Sequence, residues 1–275
     1  MSALKELAGK TAVVTGGASG IGRGIAQALM AEGMQVVIAD VEAAALVRTA
    51  AEIGAIGIPA DVSSMPSVQA LADEVRGRFG LVHVICNNAG VGSTAPIAEM
   101  TPADWQWMLG VNLMGVIHGT RAFLPLLSAN PDGGHIVNTA SMSGFRIVPG
   151  LGGYGVTKFG VMAFSETLAL ELAAEGSKVG VSVLCPGPVH SNIKASTRNR
   201  PGDLAGGALA DSDLEQSEEG RRLRWLDPVD VGRIVVAAIK GGDLYALTHP
   251  EMGSMVEERH RAIEAAFRAA AEGRA

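Results

Sequence analysis

Tyr154 and Lys158 stand at i and i+4, at the start of an apolar run (Gly153 to Glu175) that reads as a helix. Residues at that spacing share one helical face, so the phenol and the ammonium can address one point in space. Ser141 lies upstream, at the mouth of an expected strand from His135 to Ala140. Serine, tyrosine and lysine together make a proton-handling unit for an alcohol or a carbonyl. A free tyrosine, with a pKa near ~10, is a poor base at neutral pH. Lowering it by about three units takes roughly 4 kcal/mol of preference for the tyrosinate. One ammonium at about 4 Å contributes on the order of 4 kcal/mol at an effective dielectric near 20. Lys158 is therefore sufficient in size to make Tyr154 a general base for oxidation and a general acid for reduction. A Tyr-x-x-x-Lys pair alone says little, since helices produce it by chance. What precedes it in the chain decides.

Strand and helix signals alternate through the sequence. The β-branched run Thr11 to Thr15 ends at glycines, and a helical pattern follows from Ile21 to Glu32. Further strands are expected at Met34 to Ala39, Ala55 to Ala60, Leu81 to Cys86, His135 to Ala140, Val179 to Cys185 and Leu244 to Thr248. Helices are expected at Val41 to Ile53, from Ser64 and Pro66 to Phe79, as one long segment from Pro102 to Leu127, at Pro228 to Lys240 and at Ser254 to Ala271. Gly80 and Thr101 supply stop and N-cap signals. Strands separated by helices imply a single α/β domain over 1–275, a doubly wound parallel sheet of about seven strands with helices on both faces. Such sheets bind ligands beyond the carboxyl ends of their strands. Two segments break the alternation. The aperiodic stretch 190–227 reads as a substrate lid, and 251–275 as a C-terminal helical extension.

Composition removes several function classes. The 36 glycines and only 4% aromatic residues suit buried parallel strands packed closely against helices. A net charge of −6 leaves no basic field for nucleic acid or an acidic membrane. The two cysteines, Cys86 and Cys185, sit in apolar runs and read as small buried hydrophobes rather than a disulfide. No His, Cys or carboxylate cluster has metal-ligand spacing, so no metal is expected. The stretch from Met1 to Gly9 is too polar for a signal peptide, and no apolar run spans a bilayer; a cytoplasmic protein is expected.

The turn between the first strand and first helix reads Gly16-Gly17-Ala18-Ser19-Gly20-Ile21-Gly22. Glycines there let the backbone approach a pyrophosphate, whose charge the helix N-terminus favours. Asp40 closes the second strand, where a carboxylate accepts hydrogen bonds from the adenosine-ribose hydroxyls and repels a 2′-phosphate. Its neighbours Ala18, Ser19, Val41 and Glu42 offer no basic group, so NAD is expected over NADP. The positive charge of oxidised nicotinamide would assist Lys158 in holding Tyr154 ionised.

These residues together resemble the short-chain dehydrogenase/reductase family over nearly the whole chain up to about Leu247. The Gly16, Gly20, Gly22 spacing is that of its compact, single-domain, Rossmann-type members. Asp61-Val62 is similar to the family's adenine-contacting pair, and Asn87-Asn88-Ala89-Gly90 to the motif that stabilises the sheet and flanks the cofactor. Asn112 matches the catalytic asparagine, and Ser141, Tyr154 and Lys158 match the catalytic triad. Pro186-Gly187-Pro188-Val189, followed by Ser191, matches the segment beside the nicotinamide. The resemblance implies that Ser141 orients the substrate oxygen and that Asn112 holds a water linking Lys158 to solvent. The ending Thr248-His249-Pro250-Glu251, with its terminal helix, resembles a subset acting on bulky, often aryl, alcohols, including bacterial Cα-dehydrogenases of lignin-derived ethers.

The substrate is expected to be a hydrophobic or aromatic secondary alcohol or ketone, met by Ser141, Met142, Tyr154 and His190 beneath the lid. Gly92, Ser93, Phe145 and Val189 complete the expected pocket wall. Alternatives are an anionic substrate gripped by Arg198, Arg200 and Arg224, a redox sensor that binds NAD without turnover, and an epimerase or dehydratase using a transient hydride. Val161, Met162, Phe164 and Leu168 do not fit one sheet-facing stripe, which implies a helix buried on both sides. The resemblance then implies pairing across a two-fold axis, with a homotetramer expected over a dimer.

Overall fold

The structure, a computed structural model, describes residues 2–273. Met1 of the N-terminal stretch and the last two positions of the 251–275 extension lie outside the described residues. Seven strands form one sheet: β1 (Thr11–Thr15), β2 (Gln35–Asp40), β3 (Ile56–Pro59), β4 (Val84–Asn87), β5 (Gly134–Thr139), β6 (Val179–Cys185) and β7 (Tyr245–Leu247). Their order is β3-β2-β1-β4-β5-β6-β7, and every neighbouring pair is parallel. The chain leaves β1 towards β2 on one side and later returns to place β4 on the other. That reversal opens a crevice above the carboxyl ends of β1 and β4.

The strands β1, β4, β5 and β6 are buried on both faces, which is why they show no alternation of apolar and polar residues. On one face, α1 (Gly20–Ala31), α2 (Ala43–Ile53) and α7 (Pro228–Gly241) bring Ile25, Leu29, Leu46, Val231, Val235 and Ile239 onto Val14, Ile38 and Leu184. On the other, α3 (Met65–Phe79), α5 (Gly115–Ser128) and α6 (Gly152–Ala174) pack Leu71, Val75, Phe123, Leu127 and Leu168 onto Val13, Ile85 and Ile136. Local signals set the ends. Ser64 caps α3 by accepting from the Ser67 amide, and Gly80 closes it at a φ of 75°.

The single helix expected from Pro102 to Leu127 is instead α4 (Pro102–Leu109) and α5, joined by a π-turn over Gly110–Met114. Periodicity cannot register one extra residue in a turn, and Asn112 sits inside it. Val161, Met162 and Leu168 are all buried within their own chain. The large apolar side chains that α6 leaves exposed are Val156 and Leu170, so the apolar pattern of Val161, Met162, Phe164 and Leu168 is accounted for by packing within the chain. The terminal helix α8 (Gly253–Ala271) lies against Phe159 and Arg146, through Arg259 over the Phe159 ring at 5.0 Å and an Arg146–Met255 contact.

Candidate active site

A cavity of about 330 Å³ opens above the crevice, lined by Gly16, Ser19, Gly20, Ile21, Gly22 and Asp40 on one side and by Asn88, Ala89, Gly90, Tyr154 and Lys158 on the other. Asp61, Val62, Pro186 and Ser191 also line it. Gly16 has a φ of 66°, and a Cβ there would lie 2.8 Å from the Ala89 Cα, so only glycine lets the loop approach β4 this closely. Thr15 and Asn88 lock that approach. The Thr15 hydroxyl accepts from the Asn88 and Ala89 amides, and the Asn88 side-chain amide donates to the Thr15 carbonyl at 3.0 Å. Asn87 is buried one layer below and donates to Asn138 of β5 at 2.9 Å, tying the two strands that end at the site.

Asp40 ends β2 facing the cavity. Its Oδ2 accepts from the Ala18 amide at 3.1 Å and its Oδ1 from the Glu42 amide at 3.0 Å, which leaves further lone pairs on both oxygens. Burial raises its pKa, and those amides act in the opposite sense. Asp61 accepts from the Ser63 amide at 2.9 Å and places Val62 beside the same cavity.

The chemistry-bearing end lies deepest at Lys158. Lys158 is buried, its Nζ donates to the Thr139 carbonyl at 2.9 Å, and it stands 5.4 Å from the centre of the Tyr154 ring. Burial pushes the Lys158 ammonium down to about 8. Burial also raises Tyr154, while a hydrogen bond with Ser141 opposes that rise. Residue types alone carry no trace of this desolvation, which disfavours the charged form of both partners. The Ser141 hydroxyl is held by the Ser143 amide at 3.1 Å, and the Pro186 carbonyl accepts from the Met142 amide at 2.9 Å.

Asn112 is fully buried and pairs both ways with Val91, accepting from its amide at 2.8 Å and donating to its carbonyl at 2.9 Å. The π-turn aims it there. A Cβ at Gly90 would lie 3.3 Å from Asn112 Oδ1 and 3.7 Å from Lys158 Nζ, so Gly90 keeps open the gap between them. Gly187 donates its amide to Thr248 at 3.0 Å, and Val189 bridges to Leu226. Met142 is buried but, like Val189, does not line the cavity. His190 points away: Nδ1 lies 3.1 Å from Glu215 and the ring stacks on Trp225 at 5.4 Å.

The stretch 190–227, expected as a lid, consists of short 3₁₀ turns at Asn192–Asn199, Gly202–Leu204, Leu214–Gln216 and Gly220–Arg222. The three arginines expected to face a substrate are all paired. Arg198 meets Glu42 at 2.6 Å, Arg200 meets Asp104 at 2.6 Å, and Arg224 meets Glu251 at 2.8 Å. Asn192, Ile193, Ser196, Pro201 and Leu204 of the lid line the cavity together with Gln106, Trp107, Gly110 and Val111. The lid side of this wall falls within the segment expected from the sequence, whereas Gln106, Trp107, Gly110 and Val111 were not foreseen. A tryptophan and its neighbours in an amphipathic helix carry no signal that separates wall from surface.

A model of the short chain dehydrogenase family matches residues 10–202. The chain is a short-chain dehydrogenase. Probable oxidoreductase EphD of Mycobacterium tuberculosis is 37% identical over 240 residues, which make up 82% of this chain but 39% of EphD. This chain therefore spans well under half the length of that relative. The C alpha-dehydrogenase of a Sphingobium species is 32% identical over 267 residues, 94% of this chain and 87% of the relative. A crystal structure of a short chain dehydrogenase/reductase from Burkholderia phymatum in complex with NAD matches with a TM-score of 0.87 at 39% identity, covering 95% of this chain and 96% of that one. This dehydrogenase thus carries the NAD-binding Rossmann fold of an oxidoreductase family. The glycine turn and Asp40 fit a dinucleotide. Among the described residues, no helix is long and apolar enough to cross a membrane, and no group of His, Cys, Asp and Glu could hold a metal ion.

Proposed function

We propose that this short-chain dehydrogenase interconverts a secondary alcohol and a ketone with NAD, and that Tyr154 is its acid/base. The observation that carries this reading is Tyr154 and Lys158 lining one end of the cavity, with buried Ser141 hydrogen-bonded to Tyr154 behind them, while the other end is the glycine turn and Asp40. NAD, when bound, would supply the hydride acceptor and, in its oxidised form, a positive charge. Ser141 orients the substrate oxygen, and its hydrogen bond favours the tyrosinate over the phenol. Lys158 adds an ammonium within reach of the ring, and burial leaves that charge poorly screened. Tyr154 takes the hydroxyl proton during oxidation and returns it during reduction. Asn112, beside the Gly90 gap, holds a water that passes the proton between Lys158 and solvent.

The cavity walls near Tyr154 are apolar, with Trp107, Val91 and Leu204 close by, which supports a hydrophobic or aromatic substrate. Similarity to the Sphingobium C alpha-dehydrogenase supports the same class. The arginine pairings disfavour an anionic substrate, because each guanidinium would first have to leave a carboxylate. A panel of secondary alcohols with NAD, followed by absorbance of the reduced cofactor, tests this proposal; no reduction of NAD across the panel, and no oxidation of NADH by the ketones, would sink it. A cytoplasmic location belongs to the same proposal, with both cysteines kept as buried thiols.

NAD is preferred over NADP because Asp40 faces the ribose end and the basic group there, Arg198, is already bonded to Glu42. Asp40→Ala combined with Val41→Arg is expected to shift kcat/KM towards NADP by at least about tenfold, the scale of one charge-assisted hydrogen bond to the 2′-phosphate. Equal use of NAD and NADP by the wild-type protein would refute the role given to Asp40. We also propose a homotetramer, with a dimer next in order, built on the exposed apolar face of α6 and on α8, where Ile263 and Phe267 are exposed. Light scattering at micromolar concentration is expected to return four chains, and a monomer would refute both assemblies.

A further inference from the structure

Glu42 lies just beyond the end of β2, on the adenosine side of the cavity. Arg198 and Asn199 end the first 3₁₀ turn of the lid. The two segments meet. Arg198 Nη2 donates to Glu42 Oε1 at 2.6 Å, and Asn199 Nδ2 donates to the same oxygen at 2.9 Å. Arg198 Nη1 also donates to the carbonyls of Asn192 and Ala195, so one guanidinium closes its own turn while it holds Glu42. Glu42, Arg198 and Asn199 all line the cavity, as do Asp40 and Ser19 of the wall and Ser191 and Asn192 of the lid. The pull of Arg198 lowers the Glu42 pKa, so the carboxylate is charged at neutral pH. No part of the proton-handling unit touches this cluster.

We propose that Glu42, Arg198 and Asn199 form a strap across the adenosine end of the cofactor cavity and set how fast NAD(H) enters and leaves. The strap rests on the reading of this cavity as the NAD site. Lid and wall come from segments 156 positions apart and are joined here along the cavity lining. A cofactor that passes between them does so only while the ion pair is open. The pair is made between protein groups alone, so it closes the cavity whether or not cofactor lies beneath it. Binding and release then share one opened state, and both rates scale with its population. Loosening the strap therefore speeds entry and exit together and leaves the equilibrium affinity almost unchanged. A direct cofactor contact would behave differently, because losing it changes the affinity. The side chains of Arg198 and Glu42 are 35% and 31% exposed, so the pair is weak and open to screening by salt.

Stopped-flow fluorescence of NADH tests the strap on the full chain, with association followed on mixing and dissociation followed by displacement with excess NAD. Glu42→Gln and Arg198→Gln are each expected to raise both rates by about three- to tenfold, with Kd held within about twofold. The double variant Glu42→Arg with Arg198→Glu is expected to return both rates towards wild type. Rising salt should quicken both steps in wild type and much less in the single variants. A purely electrostatic effect on an anionic cofactor moves association in opposite directions when a carboxylate or a guanidinium is neutralised, and that outcome would overturn the strap. A change in Kd without a matched change in both rates would overturn it too, as would a charge swap that fails to restore them. Both positions are partly exposed, and a melting temperature within a few degrees of wild type confirms that the variants fold. A wild-type chain that does not bind NADH at all overturns the cofactor reading itself and the strap with it.

Discussion

Replacing Tyr154 with Phe is expected to lower kcat by roughly 10²- to 10⁴-fold, the range that a positioned acid/base supplies. Only the hydroxyl is removed, and the ring keeps its packing against the Val91 and Met108 cluster, so NAD affinity should stay within a few-fold. Retention of more than about a tenth of kcat would remove Tyr154 from the acid/base role. The pH profile follows from the same groups. Alcohol oxidation needs the tyrosinate, which burial disfavours, so oxidation should accelerate as pH rises from neutral. Lys158 must stay charged to support that tyrosinate, and burial sets its own pKa at about 8. The oxidation rate should therefore pass through a maximum at mildly alkaline pH and decline as the ammonium is lost. Carbonyl reduction needs the protonated phenol and should favour the lower side of that maximum.

The second large effect lies outside the chemistry. Arg200→Ala is expected to cost about 3–5 kcal/mol of stability, because it leaves a buried charge without its partner. Asp104 is 0% exposed and Arg200 9%. Asp104 is the hub that holds the lid to α4: it accepts from the Thr101 amide at 2.8 Å, the Ala208 amide at 3.0 Å and Arg200 at 2.6 Å. Burial alone would raise its pKa, but these bonds outweigh burial and hold it well below the usual carboxylate range. A carboxylate depressed on folding stabilises the protein above its unfolded pKa, near ~3.9, and that stabilisation is lost only as pH falls towards the folded value. The Arg200→Ala deficit should therefore be constant from neutral pH down to about 5 and shrink in stronger acid. Denaturant unfolding at several pH values measures it, and a deficit below about 1 kcal/mol at neutral pH would show that the pair contributes no more than a surface contact. Replacing both partners with apolar residues of similar volume should recover most of the loss.

Much of the fold is legible in the sequence because its signals are local. The β-branched run Thr11–Thr15 before a glycine turn, Ser64 before α3 and Gly80 after it each act within a few residues. The Tyr154 and Lys158 pair of the proposed proton-handling unit is legible because its spacing is fixed by a single helix, with the two residues one turn apart on α6. What escapes is what depends on distant segments meeting. The π-turn that aims Asn112 at Val91 is one residue out of period, invisible to a pattern that still looks helical. In the sequence Glu42 is only a neighbour of Asp40 lacking positive charge, and Arg198 only a lid arginine, since nothing in either segment announces the other. His190 follows the Pro-Gly segment in sequence, yet Glu215 and Trp225 turn its ring away from the cavity. Desolvation escapes as well, because burial of the Tyr154 and Lys158 charges is a property of the packed site and not of the residue types.

The central claim is that hydride passes from the carbinol carbon of a secondary alcohol to NAD while Tyr154 takes the hydroxyl proton. Mass spectrometry of the cofactor after turnover of an alcohol deuterated at that carbon tests it most directly. The predicted result is one deuterium in NADH for each ketone formed, with label transfer lost in Tyr154→Phe. Deuterium returned to the carbon of an inverted or dehydrated product, or no label in NADH from a chain that binds the cofactor, would contradict it.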